Sequence, residues 1–371
     1  MKKIKIIVVA GARPNFIKVA ALLKEFKKHP RFLTRLVHTG QHYDYKMSSV
    51  FFRDLHIPKP DFFLKAPGGS THTAQTAAIM ISFEKVLSAV KPDLVLVVGD
   101  VNSTVACALT ASKMGILIAH VEAGLRSFDR SMPEEINRLV TDQLSDFLFI
   151  TEASAQSNLK REGISAGKIF FTGNVMIDTL KENMPAIIRV GQMKSLGLVR
   201  GEYCVMTLHR PSNVDSKAGW RETLDILYDL CSKIKVVFPI HPRSKKMLEK
   251  HGLWQRLCRL PNMKIISPLG YIDFLNLVMN STFVLTDSGG IQEETTYLKI
   301  PCLTMRRNTE RPVTLSQGSN VLVGQDKKRI KAAVAHILHG GTRLFSIPAL
   351  WDGKASSRIV KILLKASSLN A

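Results

Sequence analysis

Residues 94–138 read LVLVVGDVNSTVACALTASKMGILIAHVEAGLRSFDRSMPEEINR, and their alternation of apolar and polar segments sets the class of fold. A first apolar run, 94–98, is followed by a glycine and Asp100, and a second apolar run, 116–121, ends directly at Glu122. Between the runs lies an alanine-rich segment that helix-capping residues open and a glycine closes. The pattern predicts a strand, a helix and a second strand, the repeating unit of a parallel α/β sheet.

Acidic residues follow both predicted strands. Asp100 and Glu122 should project into one crevice, because the loops at the carboxyl ends of parallel strands face the ligand side of an open sheet. Glu134 and Glu135 lie near the start of the next predicted helix and could join them. Any single carboxylate is more often a capping or loop residue, but several in one crevice are typical of general acid/base catalysis.

Length and composition indicate a soluble protein of two domains. The chain has 371 residues, more than one hydrophobic core usually holds, with 45% apolar and 22% charged residues. We expect no membrane span, because no apolar run reaches about 18 residues, and we interpret the apolar start as a strand, not a signal peptide. Five widely spaced cysteines indicate reduced thiols and a cytoplasmic location.

The net charge of +22 is the unusual property of this composition. A basic surface can attract nucleic acid, anionic lipid or a phosphorylated substrate. We expect no nucleic-acid binding, because the basic residues are dispersed and their clusters at 243–246 and 327–331 lack interleaved aromatics. Weak peripheral attraction to an acidic membrane stays open, and a solvated basic surface is the simpler interpretation.

The first predicted strand, 4–9, leads through a glycine turn into a helix that carries Arg13 and Lys18. Such a turn is a generic anion site, so both side chains could reach a diphosphate, although this signal alone is weak. The polar residues His42 and Tyr43 follow a second predicted strand. The remaining predictions for this half are strands at 33–39, 146–151 and 169–172, a loop at 58–73 and a helix at 74–90.

A second alternation of strands and helices follows a polar linker near 181–200. We predict strands at 203–208, 235–240, 264–266, 283–286 and 301–305, and helices at 220–233, 244–260 and 356–366. The fold class is therefore α/β, with two Rossmann-like parallel-sheet domains facing a central cleft. We place the domains at 1–175 and 176–355, with a C-terminal helix, 356–371, packing back on the first domain.

The second half supplies candidate phosphate-binding residues. His209 and Arg210 follow the predicted strand 203–208. Ser288, Gly289 and Gly290 open a helix after another predicted strand, and the free backbone N–H groups of a helix start suit a phosphate. A histidine alone is more often structural, but the neighbouring arginine and the glycine turn favour a functional role.

Glu294 and Phe274 are further candidates. Glu294 could accept hydrogen bonds from sugar hydroxyls, and Phe274 could stack on a base, although a core aromatic is the simpler interpretation. The chain contains no GxxxxGK[ST], HExxH, GxSxG or Asp-x-Asp motif, and no GxGxxG after a predicted strand. We therefore expect no bound metal and no nicotinamide cofactor, so that the chemistry depends on side chains and a phosphorylated substrate.

Eight segments, in order between residues 4 and 324, carry a family resemblance: GARPNFIK, TGQHYD, VVGDVNST, HVEAGLRSFDRSMPEEINR, GNVMIDTL, TLHRPSNV, LTDSGGIQEE and NTERP. Together they resemble the non-hydrolysing UDP-N-acetylglucosamine 2-epimerases. The resemblance implies a GT-B fold and a homodimer. It also implies reversible conversion of UDP-N-acetylglucosamine (UDP-GlcNAc) to UDP-N-acetylmannosamine (UDP-ManNAc), by anti elimination of UDP to 2-acetamidoglucal and re-addition, without a cofactor.

The resemblance also implies roles for individual residues. The acid/base set falls on Asp100, Glu122 and Glu134, and which of these removes the proton stays open. His209, with Arg13 and Lys18, would meet the diphosphate, and His209 counts among the catalytic residues. The remaining residues implied to bind the UDP-sugar are Arg138, Arg210, Phe274 for the uracil, and Ser288, Gly289, Gly290 and Glu294 for phosphate and ribose.

The sequence departs from the family pattern at Asn15 and Ser212, where many members have glutamate. Some bacterial members are activated by a second substrate molecule near the position of Gln41, and the loop 65–72 does not clearly reproduce the partner residues, so we do not assume that regulation.

The alternative substrate is UDP-2,3-diacetamido-2,3-dideoxyglucuronate, whose extra carboxylate would suit a basic site. From a different class, a GT-B glycosyltransferase would share the fold. The pathway we expect is the synthesis of bacterial surface polysaccharide precursors.

Overall fold

A computed structural model describes residues 3–41, 45–66, 71–341 and 345–369. The polar residues His42 and Tyr43, and part of the loop 65–72, lie outside the described residues. The chain folds into two compact units, Met1–Glu182 with Ala349–Ala371, and Asn183–Pro348. We predicted the division after residue 175, and the two units divide after Glu182.

The first unit contains one seven-stranded parallel sheet in the order β3-β2-β1-β4-β5-β6-β7. The order reverses between β1 and β4, and ligands of open α/β sheets bind at such a switch point, beyond the carboxyl ends of the strands. The strands are β1 (Ile4–Ala10), β2 (Phe32–His38), β3 (Phe62–Phe63), β4 (Leu94–Val98), β5 (Leu117–Val121), β6 (Phe147–Ile150) and β7 (Ile169–Phe171).

Helices connect these strands. They are α1 (Arg13–Lys27), α2 (Tyr45–Asp54), α3 (His72–Val90), α4 (Asn102–Lys113), α5 (Pro133–Leu144), α6 (Ala153–Arg161) and α7 (Val175–Arg189), with a 3₁₀ turn at Ala166–Lys168. All five residues of β4 are buried. Helices cover a parallel sheet on both faces, which explains why β4 is a continuous apolar run without alternation.

The second unit repeats the architecture with six parallel strands in the order β10-β9-β8-β11-β12-β13, so that its switch point lies between β8 and β11. The strands are β8 (Tyr203–Thr207), β9 (Lys235–Pro239), β10 (Met263–Ile266), β11 (Phe283–Thr286), β12 (Cys302–Thr304) and β13 (Asn320–Leu322). The helices are α8 (Gln192–Ser195), α9 (Pro211–Val214), α10 (Lys217–Cys231), α11 (Pro242–Lys250), α12 (Trp254–Cys258), α13 (Tyr271–Met279), α14 (Gly289–Leu298), α15 (Val313–Ser316) and α16 (Lys327–Leu338).

The C-terminal segment returns to the first unit and ends in α17 (Ala355–Leu369), which packs against α1. The Asp178 carboxylate accepts hydrogen bonds from the backbone N–H groups of Ala355 at 3.1 Å and Ser356 at 2.6 Å, so it caps the start of α17. The buried Trp351 indole donates to the Thr151 carbonyl at 3.0 Å. These hydrogen bonds fix the segment along the first sheet.

The predicted fold class is confirmed for its two α/β parallel-sheet domains. The prediction of one helix over 244–260 is wrong, because Gly252 takes a left-handed φ of +70° and separates α11 from α12. The predicted loop at 58–73 contains the short strand β3 and the start of α3. Within the part of the chain that the structure describes, no helix is long and apolar enough to cross a membrane.

The close approach of the C-terminal segment to Gly173 gives a test of this packing. A Cβ at Gly173, where φ is +85°, would lie 2.1 Å from the Leu350 carbonyl oxygen, whereas a Cβ at Gly115, where φ is +69°, meets no atom within 4 Å. Gly115→Ala should cost about 1–2 kcal/mol of unfolding free energy for the left-handed backbone. Gly173→Ala should cost about 1–3 kcal/mol more than Gly115→Ala, because its Cβ also overlaps the Leu350 carbonyl. Urea unfolding measures both variants, and equal losses of unfolding free energy would contradict this packing.

Candidate active site

The turn between β1 and α1 lies at the first switch point, and Asn15 holds it. The Asn15 side-chain oxygen accepts from the N–H groups of Gly11 at 3.2 Å and Ala12 at 3.1 Å. Its Nδ2 donates to the Val98 carbonyl at the end of β4 at 3.1 Å. Asn15 is buried and both its donor and acceptor atoms are used, so this residue joins the carboxyl ends of β1 and β4.

A buried ion pair follows one helical turn later. Lys18 Nζ lies 2.6 Å from Glu122 Oε2, and the two side chains are only 4% and 2% exposed. Gly99 leaves room for the ammonium, because a Cβ there would lie 2.7 Å from Lys18 Nζ. Glu122 has a φ of +74°, a conformation that costs a non-glycine residue about 1–2 kcal/mol. Lys18, which we predicted to reach a diphosphate, therefore contacts a candidate catalytic carboxylate.

Arg138 connects two acidic residues. Its guanidinium donates to Asp100 Oδ2 at 2.5 Å and to Glu135 Oε2 at 2.6 Å. Glu135 also accepts from the backbone N–H groups of Ser127 at 3.0 Å and Phe128 at 2.8 Å. Burial would raise the pKa of Glu135, but the Ser127 N–H, Arg138 and the Phe128 N–H lower it. Glu135 is thus an ionised anchor for Arg138 and the loop after β5.

The candidate residues of the first unit are arranged around the ends of β1, β4 and β5. Asp100 and Glu122 follow neighbouring strands, whose last residues, Val98 and Val121, are paired in register. Glu134 lies in the first turn of α5 and is half-buried, in contrast to the buried Glu135 beside it. Of these two glutamates, the family resemblance placed the acid/base role on Glu134 alone, and the anchoring contacts of Glu135 were not predicted from the sequence.

Two further residues near this edge are Arg13 and Gln41. The Arg13 guanidinium lies 4.6 Å from the centre of the Phe51 ring. Gln41 Oε1 accepts from the N–H of Ser103 at 2.9 Å and from its hydroxyl at 2.6 Å. Gln41 therefore caps the first turn of α4, a structural contact that the sequence did not predict.

In the second unit, Asp287 fixes the loop after β8. This fully buried carboxylate accepts from the backbone N–H groups of His209 at 3.0 Å and Arg210 at 2.9 Å, and from Asn213 Nδ2 at 3.0 Å. His209 Nδ1 lies 3.0 Å from Asp287 Oδ1 while the imidazole stays 42% exposed. Nδ1 therefore faces the buried carboxylate, and Nε2 is the ring nitrogen that can meet a ligand.

Burial would raise the pKa of Asp287, but the charge and hydrogen bond of His209, the N–H of Arg210 and Asn213 together lower it to about 2. Asp287 is ionised at neutral pH as a result. We assigned no role to this residue from the sequence, although it directly precedes the glycine turn 288–290.

The start of α14 is the predicted phosphate site. Ser288 occupies the N-cap position, and Gly289 and Gly290 form the first turn. A Cβ at Gly289 would lie 2.5 Å from Arg311 NH1, so the glycine allows a guanidinium to approach the helix start. Arg311 Nε lies 3.0 Å from Glu293 Oε2, and the guanidinium also contacts Glu310. Arg311 belongs to the quoted NTERP segment, but the sequence did not indicate this proximity.

Glu294 and Phe274 are both buried. Glu294 hydrogen-bonds the hydroxyl of Tyr271, and burial together with the Glu294 charge raises the pKa of that hydroxyl well above its ordinary value. Phe274 lies on α13 and is 8% exposed. A core position for Phe274 therefore agrees with its burial, and its contact with a base stays a prediction. In the ranges that the structure describes, no three His, Cys, Asp or Glu side chains are grouped to hold a metal ion.

Two doubly wound parallel sheets, with ion-paired carboxylates at the switch point of one and a glycine-rich helix start at that of the other, are typical of the GT-B class of proteins. Comparisons with known proteins identify the family. The family model described as UDP-N-acetylglucosamine 2-epimerase matches residues 24–364. The chain belongs to this family and is an isomerase.

Individual relatives span the whole chain. A UDP-N-acetylglucosamine 2-epimerase homolog from Methanococcus maripaludis is 43% identical, over 97% of this chain and 99% of that protein. A UDP-2,3-diacetamido-2,3-dideoxy-D-glucuronate 2-epimerase from Pseudomonas aeruginosa is 40% identical, also over 97% and 99%. The crystal structure of Methanocaldococcus jannaschii UDP-GlcNAc 2-epimerase in complex with UDP-GlcNAc and UDP has a TM-score of 0.92 and 41% identity, over 98% of this chain and 100% of that chain. The GT-B fold is therefore confirmed.

The low pKa of Asp287 predicts a pH-dependent contribution to stability. The decrease of the Asp287 pKa from 3.8 to about 2 corresponds to a contribution of about 2 kcal/mol to the free energy of unfolding. Because the folded-state pKa is depressed, this contribution is present above about pH 4 and is lost as pH falls towards 2. Urea unfolding of Asp287→Asn should show a loss of about 2 kcal/mol near pH 6 that shrinks below pH 4.

The control for this prediction is Asp225→Asn in the same unit. Asp225 forms an exposed pair with Arg256, so its replacement should change the free energy of unfolding by well under 1 kcal/mol. A loss in Asp287→Asn that stayed constant from pH 6 to pH 2 would contradict the assignment of the low pKa.

Proposed function

We propose that this protein is a UDP-GlcNAc 2-epimerase that interconverts UDP-GlcNAc and UDP-ManNAc. The observation that carries the proposal is the similarity, over nearly the whole chain, to the M. jannaschii enzyme of that name, whose crystal contains UDP-GlcNAc and UDP. The ion-paired carboxylates at the ends of β4 and β5 support it, because this reaction needs proton transfer at a carbon atom.

The chemical difficulty is that the C2 proton of the sugar is not acidic. A base therefore removes this proton while the C1–O bond breaks and UDP departs with the bonding electron pair. The product pair is 2-acetamidoglucal and UDP. UDP then returns to C1, and an acid delivers a proton to the opposite face of C2, which completes the inversion. Acid and base must flank the ring, and cations must stabilise the diphosphate as it leaves.

We assign the acid/base set to Asp100, Glu122 and Glu134. Arg138 fixes the direction of Asp100, and Lys18 fixes that of Glu122, so these two carboxylates are each preorganised by a buried cation. Glu134 differs from the other two because it is half-buried on the first turn of α5.

We assign binding of the UDP part to the second unit. His209 Nε2 can donate to a diphosphate oxygen, since Nδ1 faces Asp287. The N–H groups at the start of α14, from Ser288 to Gly290, suit a phosphate. Arg210 and Glu294 complete this set, together with Phe274 for the uracil. As implied by the family resemblance, we also propose Arg13 as a cation for the diphosphate.

The second candidate is epimerisation of UDP-2,3-diacetamido-2,3-dideoxyglucuronate. The P. aeruginosa relative with that name is 40% identical over nearly the whole chain, close to the 43% of the M. maripaludis relative. A net charge of +22 also suits a substrate with an additional carboxylate. The reaction is the same for both substrates, so the two candidates differ only in the sugar.

A homodimer, a cytoplasmic location and a role in supplying surface polysaccharide precursors belong to the same proposal. The family membership supports all three. Sedimentation equilibrium tests the assembly state, and a mass of about 41 kDa in solution, that of one chain, would contradict the dimer.

Proton NMR of the protein with UDP-GlcNAc in deuterium oxide tests the proposed function. We expect UDP-ManNAc with deuterium at C2, formed without added metal or cofactor. Asp100→Asn and Glu134→Gln should each lower the rate of C2 exchange by about 10²–10⁴-fold, because each removes a proton-transferring group, while UDP affinity is largely preserved.

Glu84→Gln serves as the control, because Glu84 is an exposed residue on α3 outside the proposed site. If C2 exchange occurs only with UDP-2,3-diacetamido-2,3-dideoxyglucuronate, the reaction is the proposed one but the substrate is the second candidate. Exchange with neither substrate would contradict the proposed function, and a lost UDP affinity in the carboxylate variants would contradict their assigned roles.

A further inference from the structure

His120 in β5 is fully buried, and both nitrogens of its ring face acceptor atoms. Nδ1 lies 2.7 Å from Asp142 Oδ1, and Nε2 lies 2.8 Å from the Gly99 carbonyl oxygen. A peptide carbonyl has no hydrogen to donate, so Nε2 must carry one. The second carboxylate oxygen, Asp142 Oδ2, already accepts from the Gly124 N–H at 3.0 Å and from Arg126 at 2.7 Å.

The carboxylate beside His120 is ionised. Burial alone would raise the pKa of Asp142, but the permanently charged guanidinium of Arg126, 2.7 Å from Oδ2, lowers it. An ionised carboxylate accepts hydrogen bonds and cannot donate one, so Nδ1 must also carry a hydrogen. A ring that donates from both nitrogens is a positively charged imidazolium.

The surroundings balance this buried charge. Arg126 contacts Asp142 and also donates from Nε and NH2 to both oxygens of Glu162, at 2.8 and 2.6 Å. Two cations, His120 and Arg126, thus alternate with two anions, Asp142 and Glu162. Such a network avoids the large penalty of an isolated buried charge.

The network is attached to the backbone on both sides of the proposed catalytic carboxylates. The Gly99 carbonyl belongs to the peptide bond that leads into Asp100, and the Gly99 N–H donates to the Val121 carbonyl at 3.0 Å. Both ends of Gly99 are therefore held by β5. The Gly124 N–H, two residues beyond Glu122, is held by Asp142, and Glu122 itself has the left-handed φ of +74°.

We propose that His120 is a positioning residue whose buried imidazolium holds the strand ends that carry Asp100 and Glu122. The inference rests on the proposed epimerase function. His120 itself touches no reacting atom. Its two hydrogen bonds fix the Gly99–Asp100 peptide and, through Asp142, the chain beyond Glu122.

The test compares His120→Phe with Ile118→Ala. The phenylalanine keeps a planar ring but removes both donors, and Ile118 is a buried residue of the same strand on the same face of the sheet. In His120→Phe we expect kcat per folded molecule to fall by about 10²-fold with little change in KM, because displacing acid/base groups affects the chemical step. If His120→Phe does not fold, Asp142→Asn takes its place in the test, and we expect it to lower kcat as well.

Ile118→Ala should lose stability without losing kcat per folded molecule. Equal kcat values in the His120 variant and this control would overturn the positioning role. If the wild-type protein does not epimerise either substrate, the proposed function fails, and that outcome is seen before any variant is compared.

Nitrogen-15 NMR of the wild-type protein reads the charge of His120 independently of activity. We expect one histidine whose ring nitrogens both carry slowly exchanging hydrogens at neutral pH, as full burial protects them from solvent. A His120 ring with one bare nitrogen under these conditions would overturn the imidazolium assignment.

Discussion

The contact between Lys18 and Glu122 is the constraint on which the candidate active site of the first unit depends. Removing two charges from water costs several kcal/mol per ion, and their attraction offsets that cost only when the geometry is close and further polar contacts are made. Here the two charged atoms lie 2.6 Å apart. The surroundings of the pair are tight: a Cβ at Gly99 would lie 2.7 Å from the ammonium, and Glu122 carries its carboxylate on a backbone with a left-handed φ of +74°. Replacing either partner would leave a buried charge without its counterpart, which is a larger cost than losing an ordinary contact.

Both units use a buried polar side chain to join the strands that flank their switch points. In the first unit, Asn15 reaches from the start of α1 to the end of β4. In the second, Asp287 reaches from the end of β11 to the backbone after β8 and holds His209 and Arg210. The switch point of a doubly wound sheet is where neighbouring crossover helices diverge and leave a crevice beyond the strand ends. Side-chain hydrogen bonds supply the rigidity that a catalytic or phosphate-binding group needs.

Much of this architecture could be predicted from the sequence, because buried parallel strands are continuous apolar runs. The run 94–98 coincides with β4, and 283–286 coincides with β11. Breaks set by one backbone angle, such as that at Gly252, were missed because a glycine within a helical pattern does not reveal its φ. Tertiary partners were also not predictable: sequence spacing does not show that Lys18 pairs with Glu122, that Glu135 and not Glu134 anchors Arg138, or that Asp287 orients His209. Such contacts join distant segments, and no local pattern encodes them.

In the proposed reaction, the anomeric C1–O bond of the substrate breaks during epimerisation. Positional isotope exchange measures that step directly, with oxygen-18 placed in the bridge between C1 and the β-phosphorus of UDP-GlcNAc. If UDP is released and returns, the label becomes distributed between bridging and non-bridging oxygens, which phosphorus NMR resolves. We expect this scrambling to proceed at least as fast as the formation of UDP-ManNAc. Epimerisation with the label still confined to the bridge would contradict it.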